Sequence, residues 1–155
     1  MQPNPPVLNT IPIGILVGEV TLTPEQYTRQ LELGRSFHMA FGKEKRFFTA
    51  PKSIAADRKS ALYHWLLSWN DPEALKGTGY WTHHATHQEQ LDFARGKISD
   101  FHERFQEILK YQTADGMLER PLIVRDLVLE ELPGRRVTLL GDAAHAMTFC
   151  IQPFL

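Results

Sequence analysis

Near the C-terminal end of the sequence, Val137 to His145 (VTLLGDAAH) places an apolar strand, a glycine, a carboxylate and a helix start in one short stretch. Gly141 lets a ligand or a second backbone approach closely, and Asp142 can accept hydrogen bonds from sugar-like hydroxyls. The amide end of the helix behind them favours negative charge. The junction suits a polyhydroxylated, phosphate-bearing cofactor. An aspartate here also makes an ordinary helix N-cap, so the two roles overlap. His145 falls in the first helical turn, where an imidazole packs more often than it shuttles protons.

Other residues could do chemistry elsewhere. His83, His84 and His87 resemble a metal set, because positions 83 and 87 would share a helix face. Thr86 is the better helix cap, however, which leaves His83 outside the helix, and no acid or thiol completes the ligands. The expectation is surface histidines and no metal. Phe37, Phe47, Phe48, Tyr63, Trp65 and Trp69 could line an apolar pocket for a planar or terpenoid-like substrate, or could simply form the core. Phe48, Tyr63 and Trp65 are the substrate-binding candidates drawn from that group. Arg125–Asp126 reads as an ion pair within a strand, and Arg46 as a hairpin arginine facing water.

These residues need a scaffold, and the hydropathy pattern supplies one. Ile11, Ile13, Ile15 and Val17 alternate as a strand near 11–20, with Gly14 and Gly18 marking a bulge or a close neighbour. Thr23-Pro24-Glu25-Gln26 starts a helix through a capping box with proline at its first position, and Gly34 stops it. Residues 35–50 predict a hairpin turning at Gly42 to Lys45. Pro51 to Lys59 reads as a loop. Ala61 to Trp69 (ALYHWLLSW) is a strand covered on both faces. A second capping box, Thr86 with Glu89, opens one long helix reaching about Lys110, weakened locally at Gly96. Leu122 to Leu129 and Arg136 to Leu140 are further strands, separated by the Pro133-Gly134 turn, and the proline-rich first residues are irregular. The fold class is α+β: a mixed, mainly antiparallel sheet with helices packed on one face, ending in a strand-to-helix junction.

Composition narrows the partners. A chain of 155 residues that is 43% hydrophobic can bury the core of one domain. The formal net charge is -1 and the cations are scattered, so a nucleic-acid or anionic-membrane surface has no electrostatic footprint. Cys150 is the single cysteine, which excludes an internal disulfide framework and fits a reducing compartment. With no secretory leader pattern and no membrane-length apolar run, cytoplasm is the expected location.

The Val137 to His145 segment resembles the Gly-Asp flavin motif of the aromatic-hydroxylase (para-hydroxybenzoate hydroxylase-like) class of FAD-dependent monooxygenases. Ala61 to Trp69 and Pro121 to His145 are also similar to wording in that family. The resemblance covers roughly residues 10–148. It implies a single domain over 1–155, with a substrate-binding sheet domain at 10–130 and a partial FAD-binding Gly-Asp segment at 131–155. By position, Gly141 and Asp142 would be the cofactor-binding residues, Asp142 meeting the ribityl chain of FAD, with NAD(P)H as reductant in a complete enzyme. The implied activity is hydroxylation or epoxidation of a small organic molecule, and the catalytic residues are left unassigned.

Two departures qualify that expectation. The family's G-x-G-x-x-G dinucleotide fingerprint is absent from this sequence, and Phe149 to Leu155 does not continue into the usual glycine-rich loop. The expectation is therefore a truncated relative that does not bind FAD tightly by itself, completed by a missing flavin-binding half or forming a homodimer. Two alternatives stay open: a cofactor-independent cyclase or isomerase acting on a polyketide or terpenoid, with His38 or His64 giving acid-base help, and an inactive gene fragment.

Overall fold

The computed structural model describes residues 7–119 and 122–128. Four antiparallel strands form the main sheet: β2 (Ile13–Leu22), β3 (His38–Gly42), β4 (Lys45–Ile54) and β5 (Ala61–Asn70), in the order β2-β5-β4-β3. A separate ribbon pairs β1 (Val7–Thr10) with β6 (Arg125–Val128). Three α-helices occur among the described residues: α1 (Pro24–Leu33), α2 (His87–Lys97) and α3 (Glu103–Tyr111). The expected α+β class and the antiparallel sheet are borne out.

Side-chain alternation divides the main sheet into two unlike faces. In β5, Ala61, Tyr63, Trp65, Leu67 and Trp69 are buried, while Leu62, His64, Leu66 and Ser68 between them are half-buried. Register carries this parity across the sheet: Trp65 opposes Gly18 and Thr49, and Leu67 opposes Leu16 and Phe47. Leu91, Ala94 and Ile98 of the α2 region join this layer, with Ile108 and Leu109 of α3, in one core. Helices thus cover one face, as the pattern predicts, and the strand expected to be covered on both faces is sealed on one only. The reason is side-chain bulk, since the largest apolar groups of β5 all share one parity and gain most from burial.

Both capping boxes form. Thr23 Oγ1 accepts from the Gln26 amide at 3.4 Å while Gln26 Oε1 accepts from the Thr23 amide at 2.9 Å. Thr86 and Glu89 repeat the exchange at 3.2 and 2.8 Å. Gly14 and Gly18 accommodate indoles and not a bulge: the β2–β5 register runs unbroken, and a Cβ on Gly18 would lie 2.7 Å from the Trp65 ring. Trp69 lies over Gly14 in the same way.

Three sequence expectations change. The proline-rich residues 1–6 lie outside the described residues, but 7–10 are not irregular, because β1 finds a partner in β6 more than a hundred positions away, with Val7 opposite Val128; local patterning cannot show such a pairing. The expected loop over 51–59 is shorter, since β4 runs to Ile54 with a register shift between Pro51 and Ser53. Pairing with β3 ends at Thr49, so Pro51 lies where β4 has become an edge and a missing amide proton costs little.

The single long helix is two. After Lys97, Ser99 Oγ donates to the Gly96 carbonyl at 2.8 Å, and His102 caps α3 by accepting from the Arg104 amide at 3.3 Å. Lys45 Nζ reaches in from the hairpin, donating to the Lys97 carbonyl at 2.6 Å and pairing with Asp100. That places a cation at the negative end of α2. Apolar spacing is preserved on both sides of the break, so periodicity alone conceals it.

His38 is buried under α3, its ring 5.8 Å from that of Phe105, and Nε2 has no hydrogen-bond partner among the described residues. Burial lowers its pKa. A folded-state value below the unfolded one means that the unfolded chain takes the proton first. Stability is therefore expected to fall as pH drops below about 6.5, the ordinary value, and through the folded value. Urea midpoints measured from about pH 7.5 to about pH 5 should show this loss, and His38→Leu should flatten it.

Candidate functional site

The open face of the main sheet carries a row of rings. Phe37, just before β3, stacks on Phe48 of β4 with centroids 5.7 Å apart and planes 29° from parallel. Phe48 in turn meets His64 of β5 at 5.5 Å and 37°. In register, Phe48 lies between Met39 and Leu66, and Leu66 opposes Val17. One continuous apolar line crosses all four strands. Phe37 and Phe41 are exposed at 57% and 67%, so these rings are available to something outside the described fold.

Polar groups frame that line. Lys52 Nζ pairs with Glu19 at 2.6 Å, and Glu19 stands directly opposite His64 in the β2–β5 register. Arg46 opposes Ser68 on the same face, its guanidinium carbon 6.0 Å from the centre of the Phe41 ring.

The three residues singled out as substrate-binding are not brought together. Phe48 belongs to the open face. Tyr63 and Trp65 have the opposite parity and are sealed beneath the helices at 1% and 0% exposure. Trp65 Nε1 donates to Gln112 Oε1 at 2.7 Å. Tyr63 Oη has no partner among the described residues, and burial, with a smaller contribution from Tyr27, raises its pKa. The residues that do accompany Phe48 are Phe37, Met39, His64, Leu66 and Val17. Their signal was in the sequence as the other parity of the same strands.

Gly141, Asp142 and His145 lie outside the described residues, as does the boundary between the expected sheet and Gly-Asp segments. The N-termini of α1 and α2 offer no open site for the phosphates of a dinucleotide. The α1 and α2 N-termini are both occupied by their own capping boxes, and at α2 the Glu89 carboxylate fills the position an anion would take. Thr86 holds that carboxyl below the usual range, through its backbone amide first and its hydroxyl second.

His83 closes a 3-10 turn (Trp81–His83) and His87 begins α2, with Thr86 as the cap between them. Among the described residues no group of three His, Cys, Asp or Glu is placed to hold a metal ion. Arg125 and Asp126 form no ion pair with each other; they oppose Thr10 and Asn9 across the ribbon. A groove of about 370 Å³ between α1 and the β4–β5 loop, lined by Tyr27, Leu31 and Ile54 to Ala56 with Arg58, lies apart from the aromatic row. Among the described residues no helix is long and apolar enough to cross a membrane.

Comparison with known proteins accords with this geometry. No protein-family model matches the chain. Over 144 residues it is 40% identical to FAD-dependent monooxygenase thnD of Trichoderma harzianum, a match covering 92% of this chain and 35% of that protein. The chain therefore spans about a third of the length of this curated relative. In fold it is similar to a Photorhabdus luminescens protein described as an FAD containing monooxygenase, with TM-score 0.62 and 16% identity, covering 94% of this chain and 40% of the other. It is also similar to 2,6-dihydroxypyridine-3-hydroxylase from Arthrobacter nicotinovorans, with TM-score 0.55 and 13% identity, covering 90% and 37%.

Proposed function

From this chain's kinship with part of an FAD-dependent monooxygenase, we propose that it supplies the substrate-facing sheet of such an enzyme, hydroxylating or epoxidising a small organic molecule. The observation that carries this reading is the 40% identity over 144 residues. The two-faced sheet fits it. One face is sealed by helices, and the other presents Phe48 and its neighbours as a flat apolar wall against which a planar molecule can lie. Tyr63 and Trp65 serve that wall from beneath by fixing β5, so that His64 and Leu66 point outward.

Gly141 and Asp142 are the proposed contacts to FAD, the carboxylate accepting from a ribityl hydroxyl. With the N-termini of α1 and α2 taken up by their own capping boxes, tight flavin binding requires groups beyond this sheet, and the chain alone is a weak FAD binder. NAD(P)H is the proposed reductant and cytoplasm the proposed setting. A flavin-binding half, or a second copy of the chain, is the proposed partner. No observation favours the cofactor-free cyclase.

A chimera tests the reading: this chain replaces the aligned stretch of the Trichoderma harzianum monooxygenase. The purified chimera is expected to be yellow and to consume NADPH and oxygen. Asp142→Ala within it should weaken FAD retention by about ten- to a hundredfold, the loss of a hydrogen bond to a charged acceptor worth roughly 1.5–3 kcal/mol. A folded but colourless chimera beside a yellow parent enzyme overturns the reading.

A further inference from the structure

We propose that the groove between α1 and the β4–β5 loop is a second small-molecule site, taking an organic carboxylate with an apolar body, its head on Arg58 and its chain along Leu31 and Ile54. The site lies apart from the aromatic wall of the main sheet and does not depend on it.

The groove has a volume of about 370 Å³, at the small end of the range for ligand sites. Tyr27 and Leu31 of α1 line one side, and Ile54 to Ala56 the other. Ile54 is 45% exposed and gains cover from any apolar chain laid beside it.

Charge selects the head group. Arg58 is the charged residue of the lining, and its guanidinium makes no ion pair or hydrogen bond among the described residues. Arg29, Arg95 and Arg104 each engage a carboxylate instead. The acid beside Arg58 is already engaged, since Asp57 Oδ1 accepts from the Lys59 amide at 3.0 Å. A planar guanidinium left open at the rim of an apolar groove is complementary to a carboxylate, which it can hold through two parallel bonds.

The backbone holds Arg58 in place at some cost. Its φ is +57°, in the left-handed region that glycine or asparagine usually fills. Two bonds keep it there: its amide donates to the Ala55 carbonyl at 2.8 Å, and its carbonyl accepts from Tyr27 Oη at 3.0 Å. Tyr27 thus ties one wall of the groove to the other. Side-chain-bearing residues persist in this conformation where their surroundings over-determine them, and such positions gather at ligand clamps. Glycine would relieve the backbone and forfeit the guanidinium.

The probes are octanoate and its uncharged counterpart 1-octanol, each titrated onto the purified chain near neutral pH and followed by backbone amide NMR. Octanoate is expected to bind at millimolar concentration, to move the signals of Tyr27, Leu31 and Ile54 to Arg58, and to raise the urea midpoint by mass action. Arg58→Gln should weaken octanoate about fivefold, the upper end for an exposed ion pair, and leave 1-octanol unchanged. Arg58→Gly should weaken octanoate in the same way without lowering the urea midpoint of the free chain, because glycine takes this conformation without steric cost. Ile54→Ser should weaken both probes, and Phe48→Ala on the open face should weaken neither. Far-ultraviolet dichroism checks that each variant folds. Unchanged octanoate affinity in folded Arg58→Gln overturns the proposal, as do shifts centred on Phe48 and Leu66 or no response to octanoate at millimolar concentration. None of these results bears on flavin retention by the chimera, so the two readings fail separately.

Discussion

Replacing Trp65 by alanine is expected to destabilise the protein by about 3–5 kcal/mol, the range for deleting a fully buried large aromatic. Trp65 is completely buried at the centre of the main sheet, packs its ring 6.0 Å from that of Phe47, and covers the bare backbone of Gly18. Alanine leaves a cavity that the sheet cannot close, because the neighbouring position on β2 has no side chain to fill it. The deletion also strands the Gln112 side-chain oxygen, which accepts from the indole at 2.7 Å in a buried setting. Since whole domains are stable by only about 5–15 kcal/mol, urea unfolding should show either a sharply lowered midpoint or a chain unfolded without denaturant. Trp65→Phe, which keeps a ring but not the donor, should recover part of the loss. A midpoint within experimental error of wild type for Trp65→Ala would remove Trp65 from the core.

Asp71 is the second position where a large effect is expected. Its carboxylate accepts from Tyr80 Oη at 2.7 Å, from Trp69 Nε1 at 3.3 Å and from the Glu73 amide at 3.0 Å, joining β5 to the 3-10 segment Pro72–Gly79. Tyr80 is only 4% exposed. Asp71→Ala leaves its hydroxyl without that partner, and roughly 2–3 kcal/mol is expected to be lost for the group of bonds. Burial pushes the Asp71 carboxyl up, but the bonds from Tyr80, Glu73 and Trp69, with the charge of Lys97, outweigh it and hold the pKa below the usual range. Burial, together with the same contact, raises the pKa of the Tyr80 hydroxyl well above its ordinary value.

The pH consequence of Asp71 has a definite sign. With the folded value depressed, the unfolded chain binds the proton first, so this stabilisation is whole above about pH 4 and disappears as pH falls through the folded value. Acid titration of the urea midpoint should show a shallower fall in Asp71→Asn than in wild type below about pH 4. An identical acid limb in the two proteins would show that the carboxylate contributes nothing there. This window lies well below the one expected for His38, so a single pH series separates the two groups.

How much of this was legible beforehand depended on the range of the interaction. Thr23 with Gln26 and Thr86 with Glu89 are local signals, and both form the reciprocal bonds their spacing predicts. The alternation from Ala61 to Trp69 correctly separated two faces of β5. It could not say which face the helices would take, nor how the parity of β4 mapped onto β5. That phase depends on register, with Phe48 opposite Leu66 and Phe47 opposite Leu67. Choosing Phe48, Tyr63 and Trp65 together by aromatic character therefore mixed the two faces. The β1–β6 ribbon and the break after Lys97 were hidden for the same kind of reason: a partner over a hundred residues away in one case, and a hairpin lysine in the other. The Gly141–Asp142 junction was legible as a motif, and it lies beyond the described residues.

The glycines beneath Trp65 and Trp69 have a consequence for how the sheet assembles. Along β2 they are separated by four residues, and their indole partners on β5 by the same interval. Sliding β2 by one residue would place Ile13 or Ile15 under one indole and Val17 or Glu19 under the other, with no room for either side chain. A two-residue slip restores the facing pattern but sets Leu16 and either Val20 or Pro12 against the rings. The pair therefore works as a two-toothed key, admitting the strand in one alignment and rejecting its neighbours. The order of outward residues on the open face, and with it the placing of His64 opposite Glu19, is thus decided from the buried side of the sheet.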